Sequence, residues 1–149
     1  MNAPNENVVK ALQASLVELV DLSLLGKQAH WNVTGPQFRS VHLELDEIVD
    51  LARLSSDRVA ERLATIGVAP DGRAETVSTT SELQPFPDGF VPTTETVQRV
   101  AQAMDAIAVR MKERIVAVDD DDPVSQDILI STTDEVEKAA WMLRSQLTM

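Results

Sequence analysis

The 149-residue chain contains no cysteine, which excludes disulfides, thiolate metal sites and cysteine nucleophiles. Tyrosine is absent and aromatics make up only 3% of residues, so Leu, Val, Ile, Ala and Met must fill the core. No apolar run approaches the roughly 20 residues that cross a bilayer. The opening stretch, Met-Asn-Ala-Pro-Asn-Glu-Asn, lacks the basic segment and long apolar stretch of a secretory leader. A cytoplasmic protein with no membrane partner is therefore expected. Basic residues are outnumbered, 13 Lys and Arg against 24 Asp and Glu, for a net charge of −11. Such a surface repels phosphate backbones and disfavours DNA as a partner.

What the chain has is helical periodicity, over a length that suits one domain spanning 1–149. A first helix is expected from about Val8 to Asn32, with Leu12, Leu16 and Leu19 on one face and Asn5 or Asn7 as N-cap. Asn32-Val33-Thr34-Gly35-Pro36 ends it, because Gly relaxes the turn and Pro blocks continuation. A second helix runs from about Phe38 to Ile66 and stops at Gly67. A third follows Pro92, capped by Thr93 or Thr94, and carries Val97, Val100, Met104, Ile107, Met111 and Ile115. After the acidic loop Asp119–Asp122, Asp122-Pro123 supplies a cap and a first-turn proline for a fourth helix, reaching about Leu147. Short joints make each consecutive pair a hairpin. The long stretch from Gly67 to Pro92 can traverse the bundle and hold a short helix around Glu75–Leu83. The expectation is all-α: a four-helix bundle with one long crossover between its second and third helices, the ferritin-like arrangement.

The second helix carries the chemistry. With His42 at zero and 100° per residue, His42, Asp46, Asp57 and Glu61 fall at about 0°, 40°, 60° and 100°. Val41, Leu45, Ile48, Ala52, Val59, Leu63 and Ile66 cluster near −90° instead, so the polar face points away from its own bundle. The pair His42/Asp46 stands roughly 22 Å along the axis from Asp57/Glu61, a gap no metal ion bridges with ligands at about 2.0–2.2 Å. An antiparallel second copy crossing near Leu51 and Ala52 would bring each histidine end to the partner's acid end. Two equivalent metal sites shared between subunits would result. Asp57 and Glu61, one turn apart, repel and need a compensating cation, for which Arg53 and Arg58 rival a metal. His30 lies in register with the apolar face of the first helix, where a satisfied core histidine is the alternative. The short turn can bring its imidazole beside His42. Imidazole with carboxylate suits Fe(II), Mn(II) or Zn(II) and does not select iron by itself. Glu-x-x-His pairs are missing, which argues against a di-iron site inside one bundle.

Lys27-Gln28-Ala29-His30-Trp31-Asn32-Val33, then Gly35, Phe38, His42, Asp46, and Asp57-x-x-Ala60-Glu61-Arg62 with Gly67, closely resemble the Dps family of mini-ferritins, over nearly the whole chain. The resemblance implies a hollow homododecamer of tetrahedral symmetry, with a ferroxidase centre at each end of every two-fold interface. His30, His42 and Asp46 would come from one subunit and Asp57 and Glu61 from its partner, with two-iron occupancy as an option. It further implies oxidation of Fe(II), preferentially by hydrogen peroxide with dioxygen slower, storage of ferric mineral, and protection against oxidative damage. Acidic residues opening the last helix line three-fold iron pores in this family; Asp127 matches best, ahead of Asp122 and Asp121, although such runs also serve as solvated caps. DNA-condensing members use Lys/Arg-rich extensions, and the first seven residues here carry no basic residue. DNA binding, as by a DNA-compacting structural protein, is thus disfavoured. A non-catalytic bundle whose Asp57/Glu61 face docks a protein is a further rival. Trp31 is expected to serve packing first, with electron donation as a second role. Glu44, Glu47 and Asp50 either face the mineral cavity or form a solvated helix face.

Overall fold

The computed structural model describes residues 3–147, apart from the Asp120 side chain; the ends of the expected 1–149 domain lie outside the described residues. Helix α1 spans Glu6–Asn32. The Asn5 side chain accepts from the Asn7 amide at 2.8 Å, so the helix begins two residues earlier than the apolar pattern alone suggests. It stops because Val33–Thr34 (β1) pairs in parallel with Val91–Pro92 (β2), Val33 against Val91. A two-residue pairing leaves no periodic trace in sequence. Helix α2 spans Phe38–Thr65. Gly67 takes φ +85° after it, and the Val68 amide donates to the Leu63 carbonyl at 2.9 Å, the left-handed termination that glycine permits.

The crossover contains α3, Ala74–Thr80, shorter than the expected Glu75–Leu83 segment. Polar straps tie it to α1. The Gln13 amide donates to the Asp71 carbonyl at 2.7 Å and accepts from the Asp71 amide at 3.0 Å, and the Ser81 hydroxyl donates to Asp21. Helix α4 spans Thr93–Val118. Neither Thr93 nor Thr94 caps it: Thr93 is its first residue and Pro92 stands at the cap position without a side-chain bond. The strand pairing has already extended the chain there, so helix can start at once. The acidic stretch is a 3-10 turn at Asp119–Asp121 rather than an open loop, and α5 follows at Pro123–Ser145.

Two antiparallel hairpins, α1/α2 and α4/α5, pack together chiefly through the α1–α4 seam. The core is aliphatic, with Leu12, Leu19 and Leu22 of α1, Leu45 and Leu63 of α2, Met104, Ile107 and Met111 of α4, and Leu129 and Leu143 of α5 fully buried. No aromatic is fully buried in it: Trp31, Phe38, Phe90 and Trp141 are exposed, and half-buried Phe86 packs against its edge. Within this core Glu18 is buried between two guanidiniums, accepting from Arg110 Nε and, at 2.6 Å, from Arg114 Nη1. A buried carboxylate needs such partners.

Gly26 sets the closeness of α1 to α2. A Cβ there would lie 2.8 Å from Val49 Cγ2, an atom held stiffly by a β-branched side chain on a helix. Alanine gains about 1 kcal/mol of helix preference over glycine, against about 1–3 kcal/mol for overpacking. Gly26→Ala should therefore lower stability by about 1 kcal/mol in denaturant unfolding, and Gly26→Ala/Val49→Ala should lose less than the two single changes summed. A stabilised Gly26→Ala protein would show that the helices do not meet there.

Asp122 joins the hairpins. It caps α5 by accepting from the Ser125 amide at 3.2 Å, and both its carboxylate oxygens accept from Arg62 Nη2 at 2.9 Å. Burial pushes this carboxyl up, but bonds from Ser125 and Arg62 outweigh it and hold the group below its ordinary value. Its contribution is present above the ordinary value of about 3.9 and is lost as pH falls through the lower folded value. Asp122→Ala should cost about 1–2 kcal/mol at neutral pH, with the gap to the parent closing below about pH 4. An unchanged gap in acid urea titrations would remove Asp122 from this role.

Candidate metal centre

The site begins where α1 ends and α2 starts. His30, 8% exposed, faces the half-buried His42 across the hairpin. The two rings stack with centroids 3.6 Å apart and planes 20° from parallel. Each Nδ1 lies 2.8 Å from the other residue's backbone carbonyl, His30 to His42 and His42 to His30. A carbonyl only accepts, so each Nδ1 carries a hydrogen, and in the neutral ring the lone pair is then on Nε2. That is the tautomer in which a neutral imidazole ligates a metal. Phe38 stacks on His42 at 5.0 Å.

Asp46 stands one turn beyond His42, its Oδ1 3.4 Å from His30 Nδ1. It accepts a hydrogen bond from Lys27 Nζ, and that bond holds its carboxyl below the ordinary range. Lys27 is the residue whose role was not read from sequence. Its signal was present, because Lys27 and His30 are three apart on α1 and share a face. Its ammonium supplies a cation to Asp46, the chemistry this carboxylate would offer a metal.

Asp57 and Glu61 are exposed on the distal half of α2. Among the described residues no Lys or Arg nitrogen lies within 4 Å of either, so Arg53 and Arg58 do not neutralise them inside the protomer. On the outward face of α2, exposed Leu54 lies one turn before Asp57 and exposed Leu43 lies at the other end, next to His42. Of the predicted core stripe, Val41, Leu45, Ile48, Ala52, Val59 and Leu63 are buried, while Ile66, just past the end of α2, is half-buried against the core. His30, His42 and Asp46 are thus brought together, while Asp57 and Glu61 remain apart on the same unbroken helix. Among the described residues no three His, Asp or Glu side chains converge to hold a metal within one protomer.

The secondary residues sort themselves. Asp122 is engaged with Arg62 and the α5 cap, and Asp121 accepts from Asn5 Nδ2 at 2.8 Å. Asp127 is exposed one turn past Pro123. Trp31 is 67% exposed, so its expected packing is not within the protomer. Burial holds the Glu44 carboxyl above its ordinary value, and it accepts from Gln146 just past α5, whereas Glu47 and Asp50 are exposed.

The profile of the ferritin-like domain matches residues 9–149. The fine tangled pili major subunit of Haemophilus ducreyi is 38% identical over 144 residues, 94% of this chain and 74% of that protein. The DNA protection during starvation protein of Mycolicibacterium smegmatis is 36% identical over 145 residues, 95% of this chain and 77% of that one. A Dps from Microbacterium arborescens, solved in a high iron form, superposes with a TM-score of 0.90 at 30% identity, covering 95% of this chain and 92% of its own. With its fold, its paired histidines and these relatives in agreement, the chain belongs to the ferritin-like family and, within it, to the Dps proteins.

Proposed function

We propose that this protein oxidises Fe(II) at sites shared between two subunits and stores the ferric product. The observation that carries the reading is the division of α2 into two incomplete halves. One offers two imidazoles with free Nε2 lone pairs beside Asp46, and the other offers Asp57 and Glu61 with no internal cation. An antiparallel copy of α2 unites them, and exposed Leu43 and Leu54 suit the apolar part of such a contact. Under this reading the donors are His30, His42 and Asp46 of one subunit with Asp57 and Glu61 of the next. Three carboxylates balance the incoming charge, and the neutral imidazoles need lose no proton to bind. Lys27 must release Asp46 as the metal arrives, so it holds the carboxylate in place beforehand.

With hydrogen peroxide as oxidant, two Fe(II) ions give one electron each, the O–O bond breaks, and two protons complete two waters. Paired delivery of electrons avoids hydroxyl radical. A closed homododecamer in the cytoplasm, with iron entering past Asp127 where three chains converge, completes the proposal. The resemblance to Dps supports those features. Asp122 and Asp121 are weaker pore candidates because both are engaged in contacts of their own.

Complementation tests the shared site. His30→Ala/His42→Ala and Asp57→Asn/Glu61→Gln proteins should each oxidise Fe(II) at least about a hundredfold more slowly in the fast phase. When the two are unfolded and reassembled together, each mixed dimer regains one intact site, so about a quarter of the parental fast phase should return. A mixture as slow as its components, with normal assembly by scattering, would end the shared-site reading.

The relatives named for DNA protection motivate a second reading, association with DNA. The net charge of −11 opposes it, since phosphate binding is driven by neutralising cations. No retardation of duplex DNA is expected at moderate salt without added divalent cation. A retarded band that fades as salt rises would establish a DNA contact instead.

A further inference from the structure

Asp-Gly occurs twice in the chain, at Asp71-Gly72 and Asp88-Gly89, both in the crossover. Glycine has no side chain to shield its own amide nitrogen, so that nitrogen can reach the carboxyl carbon of the preceding aspartate. The fold treats the two steps in opposite ways. At Asp71 both carboxylate oxygens are held: Oδ1 accepts from Arg73 Nε at 2.9 Å, and Oδ2 accepts from Arg73 Nη2 and the Thr76 hydroxyl, each at 2.8 Å. The Asp71 amide and carbonyl are strapped to the Gln13 side chain of α1 at 3.0 and 2.7 Å. Bonds from Arg73, with Thr76 next, hold this carboxyl well below its ordinary range. At Asp88 the setting is reversed. Asp88 and Gly89 are exposed. Among the described residues the Asp88 carboxylate forms no ion pair, and it accepts only from the Gly89 amide, at 2.9 Å. Gly89 takes φ +79°, and nothing lies within 4 Å of the place a Cβ would occupy.

We propose that Asp88-Gly89 is a site of spontaneous covalent modification, at which Asp88 converts to isoaspartate, while the fold protects Asp71-Gly72 from the same reaction. The Gly89 nitrogen gives up its proton and bonds to Asp88 Cγ. The Cγ–OH bond breaks, water leaves, and a cyclic succinimide remains. Water then adds back. Opening at Cγ restores aspartate. Opening at the Asp88 backbone carbonyl leaves the chain running through Cβ and Cγ, with a free carboxylate on the former backbone carbon. Atoms and charge balance, and no oxidant, metal or second protein takes part. The departing oxygen must be protonated, so a carboxylate kept ionised by Arg73 resists the step. At Asp88 the 2.9 Å contact already sets the carboxyl against the attacking nitrogen, and open space surrounds the ring as it closes. The added backbone carbon enters the chain just before Val91–Pro92, the strand that pairs with Val33–Thr34.

Ageing the assembled protein in mildly acidic buffer tests the assignment, with folding checked by circular dichroism. Peptide mapping with electron-transfer fragmentation then distinguishes isoaspartate from aspartate at equal mass. Isoaspartate should accumulate at least about tenfold faster at Asp88 than at Asp71, the factor by which a carboxyl held one pH unit lower is less protonated. In guanidinium chloride, where the straps are gone, the two steps should react at similar rates. Arg73→Ala should raise the rate at Asp71 in the folded protein and leave the rate at Asp88 unchanged. Equal rates at the two positions in the folded protein, or no isoaspartate at Asp88, would overturn the proposal. So would an Asp71 that lags equally in the unfolded chain, or one whose rate a folded Arg73→Ala protein leaves unmoved.

Discussion

Helix α2 runs unbroken for 28 residues, and its rigidity is the constraint on which the site depends. A helix of this kind advances about 1.5 Å per residue and cannot fold back on itself. His42 and Asp46 near its start are therefore held permanently away from Asp57 and Glu61 near its end. No side-chain rotation closes that gap. The two polar groups therefore sit at opposite ends of one unbroken helix.

The histidine half is fixed by backbone rather than by other side chains. Each imidazole donates to the carbonyl of the opposite histidine, at 2.8 Å in both directions, so the α1–α2 turn and both ring tautomers are locked by one reciprocal pair of bonds. That arrangement requires the two helices to approach closely. Gly26, one turn before His30, is where α1 has no side chain to keep Val49 of α2 away. Packing, hydrogen bonding and the readiness of Nε2 are thus successive consequences of the same close seam. Lys27, adjacent to Gly26, reaches Asp46 from that seam and gives the carboxylate a cation.

Charge and aromatic content are distributed in the same spirit. The core of the protomer is aliphatic, while four of the five aromatic residues lie exposed. Large apolar side chains left on a surface mark places where another molecule can remove them from water. Acidic residues crowd the outside, while the α1–α4 seam holds a buried carboxylate, Glu18, between Arg110 and Arg114. The protomer therefore carries several surfaces of distinct chemistry on a simple bundle.

Sequence alone determined the helices, the crossover and the polar face of α2, because helical period, capping residues and breakers are local signals that do not depend on partners. The angular positions of His42, Asp46, Asp57 and Glu61 could be calculated from numbering, and so could their separation along the axis. Tertiary structure decided what numbering cannot reach. The β1–β2 pairing is too short to leave a pattern, and it moved the start of α4 to Thr93. The Glu18 cluster joins residues some ninety positions apart. Asp122 caps α5 as its sequence neighbours suggested, but its bond to Arg62 across the bundle could not be read from them. Lys27 and Asp46, and the histidine carbonyls that receive each other's Nδ1, meet only when α1 and α2 close on one another. Such contacts arise from helix packing distance and relative rotation, which local sequence leaves undetermined.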